Sequence, residues 1–430
     1  MKYNPRREFI RQSGLLLSGF SLTGFSNMLS PELMTRISEK TQSKAAHTLV
    51  TDESFWREIR QAFTINPGLL NLNSGGVSPS AEMVQDAVDQ YNRMSNQGPS
   101  YYMWRILDQG REPLRASLAK LAGCDTEEIA INRNATEAIN TVIFGLPLQK
   151  GDEVVLSKMD YPNMIHAWKQ REKREGIKLV WVEIPIPCDD AEKLTSLFAE
   201  AFTSKTRVVH ITQVINWNGQ VLPVRAIADA AQARNIKVLV DGAHAFAQLD
   251  FKIPDLNCDY YGTSLHKWMC GPLGSGMLYI RKSQIAEVWP LLSHENPESD
   301  DIRKFESLGT RSMPIEQAIH VALDFHNRIG TGLKRERLMY LRNYWIEQVK
   351  GFPGVSIPSP SVADLSCALA TIRLEGMTPQ ALESKLLDKY KIHTVAIERE
   401  SLSCVRVTPN VFTLEEDLDR FAGAIRAIAK

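Results

Sequence analysis

Val240-Asp241-Gly242-Ala243-His244 and, further along, Thr263-Ser264-Leu265-His266-Lys267-Trp268 are the stretches that decide how this 430-residue chain is read. The first closes an apolar run, Lys237 to Asp241, on an acid followed by a glycine. An acid at the carboxyl end of a buried strand stands where open α/β sheets bind their ligands. Working outward, Glu128 to Asn132, Glu153 to Ser157, Lys178 to Ile184 and Arg207 to Val214 are further short β-rich runs, each followed by a helix-compatible stretch. A last strand, Gly276 to Ile280, follows the turn Gly271-Pro272-Leu273-Gly274. This alternation predicts an α/β fold: a three-layer α/β/α large domain with a mostly parallel sheet covered by helices on both faces.

Beyond about Met313 the pattern changes. Two long helical segments, Pro314 to Ile329 and Gly332 to Val349, lead into β-rich runs at Cys367 to Leu374 and His393 to Ile397, which flank a helix near Pro379 to Tyr390. Cys404 to Thr408 supplies a closing strand, and Thr413 with Glu416 has the spacing of a capping box. A smaller C-terminal α+β domain is expected over 313–430, after a large domain over 51–312. The chain is long enough for two such units.

Residues 1–50 are read as signal and linker. Arg6 and Arg7 lead into Phe9, Ile10 and Arg11, and an apolar, small-residue stretch runs from Gly14 to Leu29. The pattern resembles a twin-arginine export signal, whose machinery carries folded proteins and would deliver the chain to the periplasm. A basic amphipathic helix is the alternative. No clean A-x-A site follows, so cleavage and retention as a membrane tether both stay open, although the apolar run is short for a stable span. Ser30 to about Thr51, polar and containing proline, reads as the linker.

Lysine plus arginine equal aspartate plus glutamate at 50 each, with no long run of one sign. That removes the electrostatic case for a nucleic-acid partner and favours a small molecule. The cysteines Cys124, Cys188, Cys258, Cys270, Cys367 and Cys404 are scattered, without C-x-x-C or histidine at ligand spacing. No metal site is expected, and buried free thiols are the default.

Taken singly, Asp241 reads as a helix N-cap and Lys267 as a solvated lysine. As a pair they meet the demands of pyridoxal phosphate. Its pyridinium nitrogen needs a carboxylate that keeps it protonated and the ring an electron sink, and its aldehyde needs a lysine to hold it as a Schiff base.

The succession D-G-A-H, S-x-H-K and G-P-x-G-x-G resembles the class V aminotransferase family of fold type I pyridoxal-phosphate enzymes, over nearly everything after residue 65. The resemblance implies roles for further residues. In Arg133-Asn134-Ala135-Thr136-Glu137, the N–H groups of Ala135 and Thr136 and the Thr136 hydroxyl would hold the cofactor phosphate at a helix N-terminus. Ser264 and His266 match phosphate ligands, His266 reading equally as a packed core residue. Tyr161 falls where relatives stack an aromatic ring or histidine on the pyridine face; the plain alternative is a core or rim tyrosine. His244 would bond the ring's phenolic oxygen, and Asn216 would lie near the substrate carboxylate. Thr310, in Glu306-Ser307-Leu308-Gly309-Thr310, matches a threonine that reaches the phosphate of the neighbouring subunit, which implies a homodimer. Arg406 aligns with the arginine that clamps a substrate α-carboxylate, a task for a planar fork; a strand arginine in a surface ion pair is its bland counterpart.

The chain also departs from part of the family. Cysteine desulfurases carry a nucleophilic cysteine in a loop well before that arginine, whereas here only Cys404 is near, two residues away on the same presumed strand, so persulfide chemistry is discounted. Asn73-Ser74-Gly75-Gly76 and the run Gly98 to Arg105 look like the isopenicillin N epimerase-like members. On this reading Lys267, its pKa lowered by burial, removes or returns the Cα proton of an amino acid. Transamination, epimerisation and β-elimination share these residues and stay open. A secreted binding protein that keeps the fold without turnover is opposed by the joint presence of Lys267, Asp241 and Arg406. A nicotinamide dehydrogenase is disfavoured because no G-x-G-x-x-G follows the first strand.

Overall fold

The computed structural model describes residues 30–430; the twin-arginine-like segment with Arg6 and Arg7 lies outside the described residues. Seven strands form the large sheet: β1 (Ile129–Asn132), β2 (Glu153–Ser157), β3 (Lys178–Val182), β4 (Thr206–Thr212), β5 (Lys237–Asp241), β6 (Tyr260–Ser264) and β7 (Gly276–Ile280). Their order is β1-β7-β6-β5-β4-β2-β3. The five central and edge strands from β6 to β3 pair in parallel, and β7 runs antiparallel to both its neighbours. Strands covered on two faces must be apolar at nearly every position, and β1, β6 and β7 are buried throughout. Side-chain alternation then feeds two cores. Val154, Leu156 and Leu239 pack with Ile139 and Val142 of α3 (Ala135–Gly145) and Trp168 of α4 (Pro162–Glu175). Val155, Val209, Val238 and Val240 pack into the opposite core.

The C-terminal part carries the helices α5 (Met313–Ile329), α6 (Thr331–Val349), α7 (Pro379–Tyr390) and α8 (Glu415–Ala429). Its antiparallel sheet has the order β10-β11-β9-β8, with β8 (Val355–Ser356), β9 (Ala370–Leu374), β10 (Val395–Arg399) and β11 (Leu402–Val407). Trp345, Ile372, Leu386, Val405 and Phe421 fill a separate core, which also takes Leu70 and Leu72 from far upstream. Leu70 opens a short parallel pairing of Leu70–Asn71 with Ile392–His393, and Leu72 follows it. The chain is thus joined to the C-terminal part through a separate two-stranded sheet before it enters the large one, and Asn73 arrives beside His393.

Three local expectations are corrected. Ser30 to Thr51 is not a linker outside the folded part: α1 (Ser30–Ser43) and α2 (Ala46–Val50) pack on the fold, with Leu33, Met34, Ile37 and Leu49 buried. Leu33 and Ile37 are four apart, a helical stripe that the surrounding polar residues disguise. β6 is not among the expected strands, because Tyr260-Tyr261-Gly262-Thr263-Ser264 has a glycine at its centre. Gly262 is required there: a Cβ would lie 2.5 Å from Ile139 Cγ1, where α3 crosses the strand. At the entry to α8, Thr413 does not cap. Its Oγ1 accepts from Asn410 N, and Asp417 Oδ2 instead accepts from Leu414 N at 3.0 Å. Among the described residues no helix is long and apolar enough to cross a membrane.

Candidate active site

The carboxyl ends of β4 and β5 and the amino end of α3 open onto one cavity of about 210 Å³. Asp241 is the last residue of β5, in register with Thr212 of β4 and Gly262 of β6. Gly242 must follow it without a side chain, since a Cβ would lie 1.9 Å from the Tyr261 ring and hydroxyl. The turn lets Asp241 Oδ1 accept from Ala243 N at 3.0 Å. Burial raises the Asp241 carboxyl above its ordinary pKa, opposed by that N–H and by Lys267.

Lys267 reaches the cavity from the turn after β6 and is partly exposed. Its Nζ lies 3.0 Å from His244 Nε2. Desolvation lowers the ammonium to about 8, with Arg406 adding to the fall and Asp241 opposing it. Burial, assisted by the charges of Lys267 and Arg406, holds His244 well below its usual range, so the imidazole is neutral. Its buried Nδ1 has no partner among the described residues.

At the other end of the cavity Asn134 caps α3, its side chain accepting from Glu137 N at 2.9 Å. Ala135 N donates to Ser264 Oγ at 2.9 Å, which leaves the Ser264 hydroxyl proton free to turn outward. Thr136, in the first helical turn, has no intrahelical acceptor for its N–H. His266 lines the same end, its Nδ1 3.0 Å from Ser275 O. Tyr161, at the N-terminus of α4, lies on the rim and is 39% exposed.

Arg406 does not itself line the cavity; it contacts Asn216, which does, and is 6% exposed. It donates from Nη1 to Asn216 O and from Nη2 to Asn73 Oδ1, both at 2.8 Å, while its Nε and Asn216 Oδ1 are buried without partners among the described residues. Burial lowers the guanidinium to about 10. Thr310 is exposed and does not line the cavity. Among the described residues no cysteine lines it either, and burial pushes the Cys404 thiol up to about 11. Arg105 is exposed, and Arg399 is spent on Lys158 O. No cluster of histidine, cysteine and acidic residues that could hold a metal occurs among the described residues.

The donor set fits pyridoxal phosphate. A buried carboxylate with an unshared oxygen, a desolvated lysine and a helix N-terminus with two hydroxyls line a single cleft, and His244 Nδ1 and Asn216 Oδ1 are left wanting partners. The structure therefore gathers Asp241, Lys267, His244, Ala135, Thr136, Ser264, His266, Tyr161 and Asn216 around one cavity, sets Arg406 against Asn216, and leaves Thr310 outside. Sequence reasoning passed over Asp160 and assigned no role to Asn73. Asp160 follows β2 and is 1% exposed; its carboxylate accepts from Thr212 Oγ1 at 2.7 Å and Ser157 N at 2.8 Å. Burial, with the charge of Asp241 assisting, raises it to about 7. The available signal was an acid at a strand end, one residue before Tyr161.

The sequence is 29% identical to isopenicillin N epimerase of Streptomyces clavuligerus over 391 residues, 87% of this chain and 98% of that protein. It is also 29% identical to a probable cysteine desulfurase of Halobacterium salinarum, over 74% of this chain and 80% of that one. Among solved structures, a mutant of C-DES with glycine covalently linked to its PLP cofactor superimposes with a TM-score of 0.77 at 22% identity, covering 85% of this chain and 98% of that one. The apo cysteine desulfurase of Thermococcus onnurineus superimposes equally well, with a TM-score of 0.77 at 19% identity over 86% and 97%. The residue pattern that defines Aminotransferase class-V matches residues 70–427, and the chain belongs to the class V aminotransferase family.

Proposed function

We propose that this enzyme moves the Cα proton of an α-amino acid, as an epimerase or aminotransferase of the isopenicillin N epimerase-like kind, with Lys267 as the proton carrier. Pyridoxal phosphate, when bound, supplies the electron sink that makes the Cα–H bond acidic. The chain's own residues do the rest. Asp241, sealed at the end of β5, offers its charge to a cationic nitrogen. The N-terminal turn of α3, Ser264 and His266 offer donors to a dianionic phosphate, and Tyr161 offers a flat apolar face. Lys267, brought to about 8, has a free amine within reach near neutral pH, which is what a general base requires. Neutral His244 at 3.0 Å can accept a hydrogen bond from that amine and so aim its lone pair.

The observation that carries the reading is Lys267 and Asp241 lining one cleft while Arg406, a buried cation, is bound among the described residues only by neutral oxygens. A buried charge lacking a counter-ion is costly, and an α-carboxylate would supply one. That no cysteine among the described residues lines the cavity speaks against the desulfurase alternative. To test this, the holoenzyme is incubated in D2O with each D- and L-α-amino acid. Deuterium should enter at Cα, with inversion or keto-acid formation naming the reaction, and Lys267→Ala should lose both exchange and the visible absorption of the lysine-bound cofactor. Absence of exchange with every amino acid would refute the reading.

The N-terminal Arg6-Arg7 pattern supports export by the twin-arginine machinery to the periplasm. Replacing both arginines with lysine should then leave the protein in the cytoplasmic fraction. The exposed Thr310 supports a homodimer in which each chain completes its partner's phosphate site.

A further inference from the structure

Arg406 is poised by a residue from the far end of the sequence. Its Nη2 donates to Asn73 Oδ1 at 2.8 Å, and Asn73 Nδ2 lies 3.3 Å from His393 Nε2. Three segments meet here: the stretch after Leu70–Asn71, the short strand Ile392–His393 that pairs with it, and β11. The polarity of the chain is fixed. Guanidinium donates only, so the asparagine oxygen faces Arg406, its amide nitrogen faces His393, and His393 Nε2 accepts.

Arg406 therefore ends up gripped from one side by an uncharged amide and from the other by the Asn216 carbonyl, and no carboxylate among the described residues pairs with it. A carboxylate in place of Asn73 would make the same contact geometrically and would neutralise the cation. We propose that Asn73 is a positioning and specificity-determining residue: it holds the Arg406 fork in its receiving orientation while leaving the positive charge uncompensated for an incoming α-carboxylate. His393 holds the amide in the orientation that presents oxygen to the arginine. Asn73 thus contributes twice, by geometry and by being neutral. The two contributions separate on substitution: Asn73→Asp keeps the acceptor and cancels the charge, while Asn73→Ala removes the acceptor and keeps the charge.

This inference rests on the reading of Arg406 as the carboxylate site, and the test is arranged to separate the two. The set of D- and L-α-amino acids is screened by the change each causes in the absorption spectrum of the holoenzyme. The strongest responder is then titrated beside the amine that lacks its carboxylate. In the wild type the amino acid should bind tighter than the amine. Asn73→Asp should weaken the amino acid by about tenfold or more, the scale of losing one close charge pair, while the amine binds as well as before or better. Asn73→Ala should weaken the amino acid by a smaller factor and leave the amine unchanged. Arg406→Lys, which keeps charge but loses the fork, should also weaken only the amino acid. If Arg406→Lys leaves the amino acid untouched, the carboxylate reading of Arg406 fails and this proposal goes with it. If Arg406→Lys weakens binding but Asn73→Asp does not, the role of Asn73 alone is refuted. Equal losses for amino acid and amine in either Asn73 variant would reveal a merely structural residue and also overturn it.

Discussion

Asp160, buried against Thr212 and Ser157, ought to make the stability of the apoprotein depend on pH. Its carboxyl titrates at about 7 in the folded chain against 3.8 for an aspartate in water, so between those values the folded protein keeps a proton that the unfolded chain has released. A raised acid contributes stability that is fully present below the unfolded value and is lost as pH rises through the folded one. Asp241 is shifted in the same direction, so the wild-type slope belongs to both. Asp160→Asn removes one titrating group while keeping an oxygen for Ser157 N. Denaturant unfolding of wild type and variant from pH 4 to 8 should therefore diverge, the wild type losing about 1–4 kcal/mol relative to the variant across that window. Parallel curves would mean that Asp160 is charged throughout. At this scale the sequence was informative wherever chemistry demands a residue type. Lys267 and Asp241 announce themselves by spacing and setting, whereas Asp160 and Asn73 act through Thr212 and Arg406, partners 52 and 333 positions away, and no local pattern records such contacts.

At the scale of elements, α3 is the one that meets the cofactor phosphate on the proposed reading, and its start depends on Asn134. The Asn134 side chain accepts from Glu137 N at 2.9 Å, satisfying one of the donors that a helix leaves open. Asn134→Ala should lower the unfolding free energy of the apoprotein by about 0.5–2 kcal/mol. It should also weaken uptake of pyridoxal phosphate, followed by the visible band as cofactor is added. An unchanged midpoint of unfolding would show that water replaces the cap at no cost. The same element explains what could be read in advance. β2, β5 and β7 were legible to their ends because both faces of their middles are buried and their interiors are apolar, with polar residues marking the ends of β2 and β5. β6 was hidden because the crossing of α3 forces Gly262 into its middle, and a glycine in a short run reads as a turn. The helices α1 and α2 were hidden for a different reason: their stability comes from docking Leu33, Ile37 and Leu49 on the rest of the fold, and propensity alone does not reveal a surface that waits for them.

At the scale of the whole molecule, the face around Thr310 is the part of this chain that looks unfinished. Glu306, just before the loop, is buried and gripped by Arg115 and Arg111, each with a contact of 2.9 Å, so the segment bearing Thr310 has a fixed root. Arg311, its neighbour, pairs with Asp108 at 2.8 Å. That contact sets the loop beside the segment that displays Tyr101, Trp104 and Ile106, all exposed. Exposed aromatic side chains gathered near a rigid loop are the composition of an interface core. A closed two-fold dimer would place one Thr310 at each of two sites. If Thr310 serves the partner's phosphate, a hybrid of a Lys267→Ala chain with a Thr310→Ala chain contains one site with both residues intact and one with neither. If it serves its own chain, both sites of the hybrid are broken. Unfolding the two inactive variants together and refolding them should thus restore up to about a quarter of wild-type activity, since half of randomly formed dimers are hybrids with one working site. Refolding each variant alone should restore nothing. Hybrids demonstrated by differently tagged chains that remain inactive would show that Thr310 does not cross the interface, and a monomeric wild type in sedimentation would remove the shared site altogether.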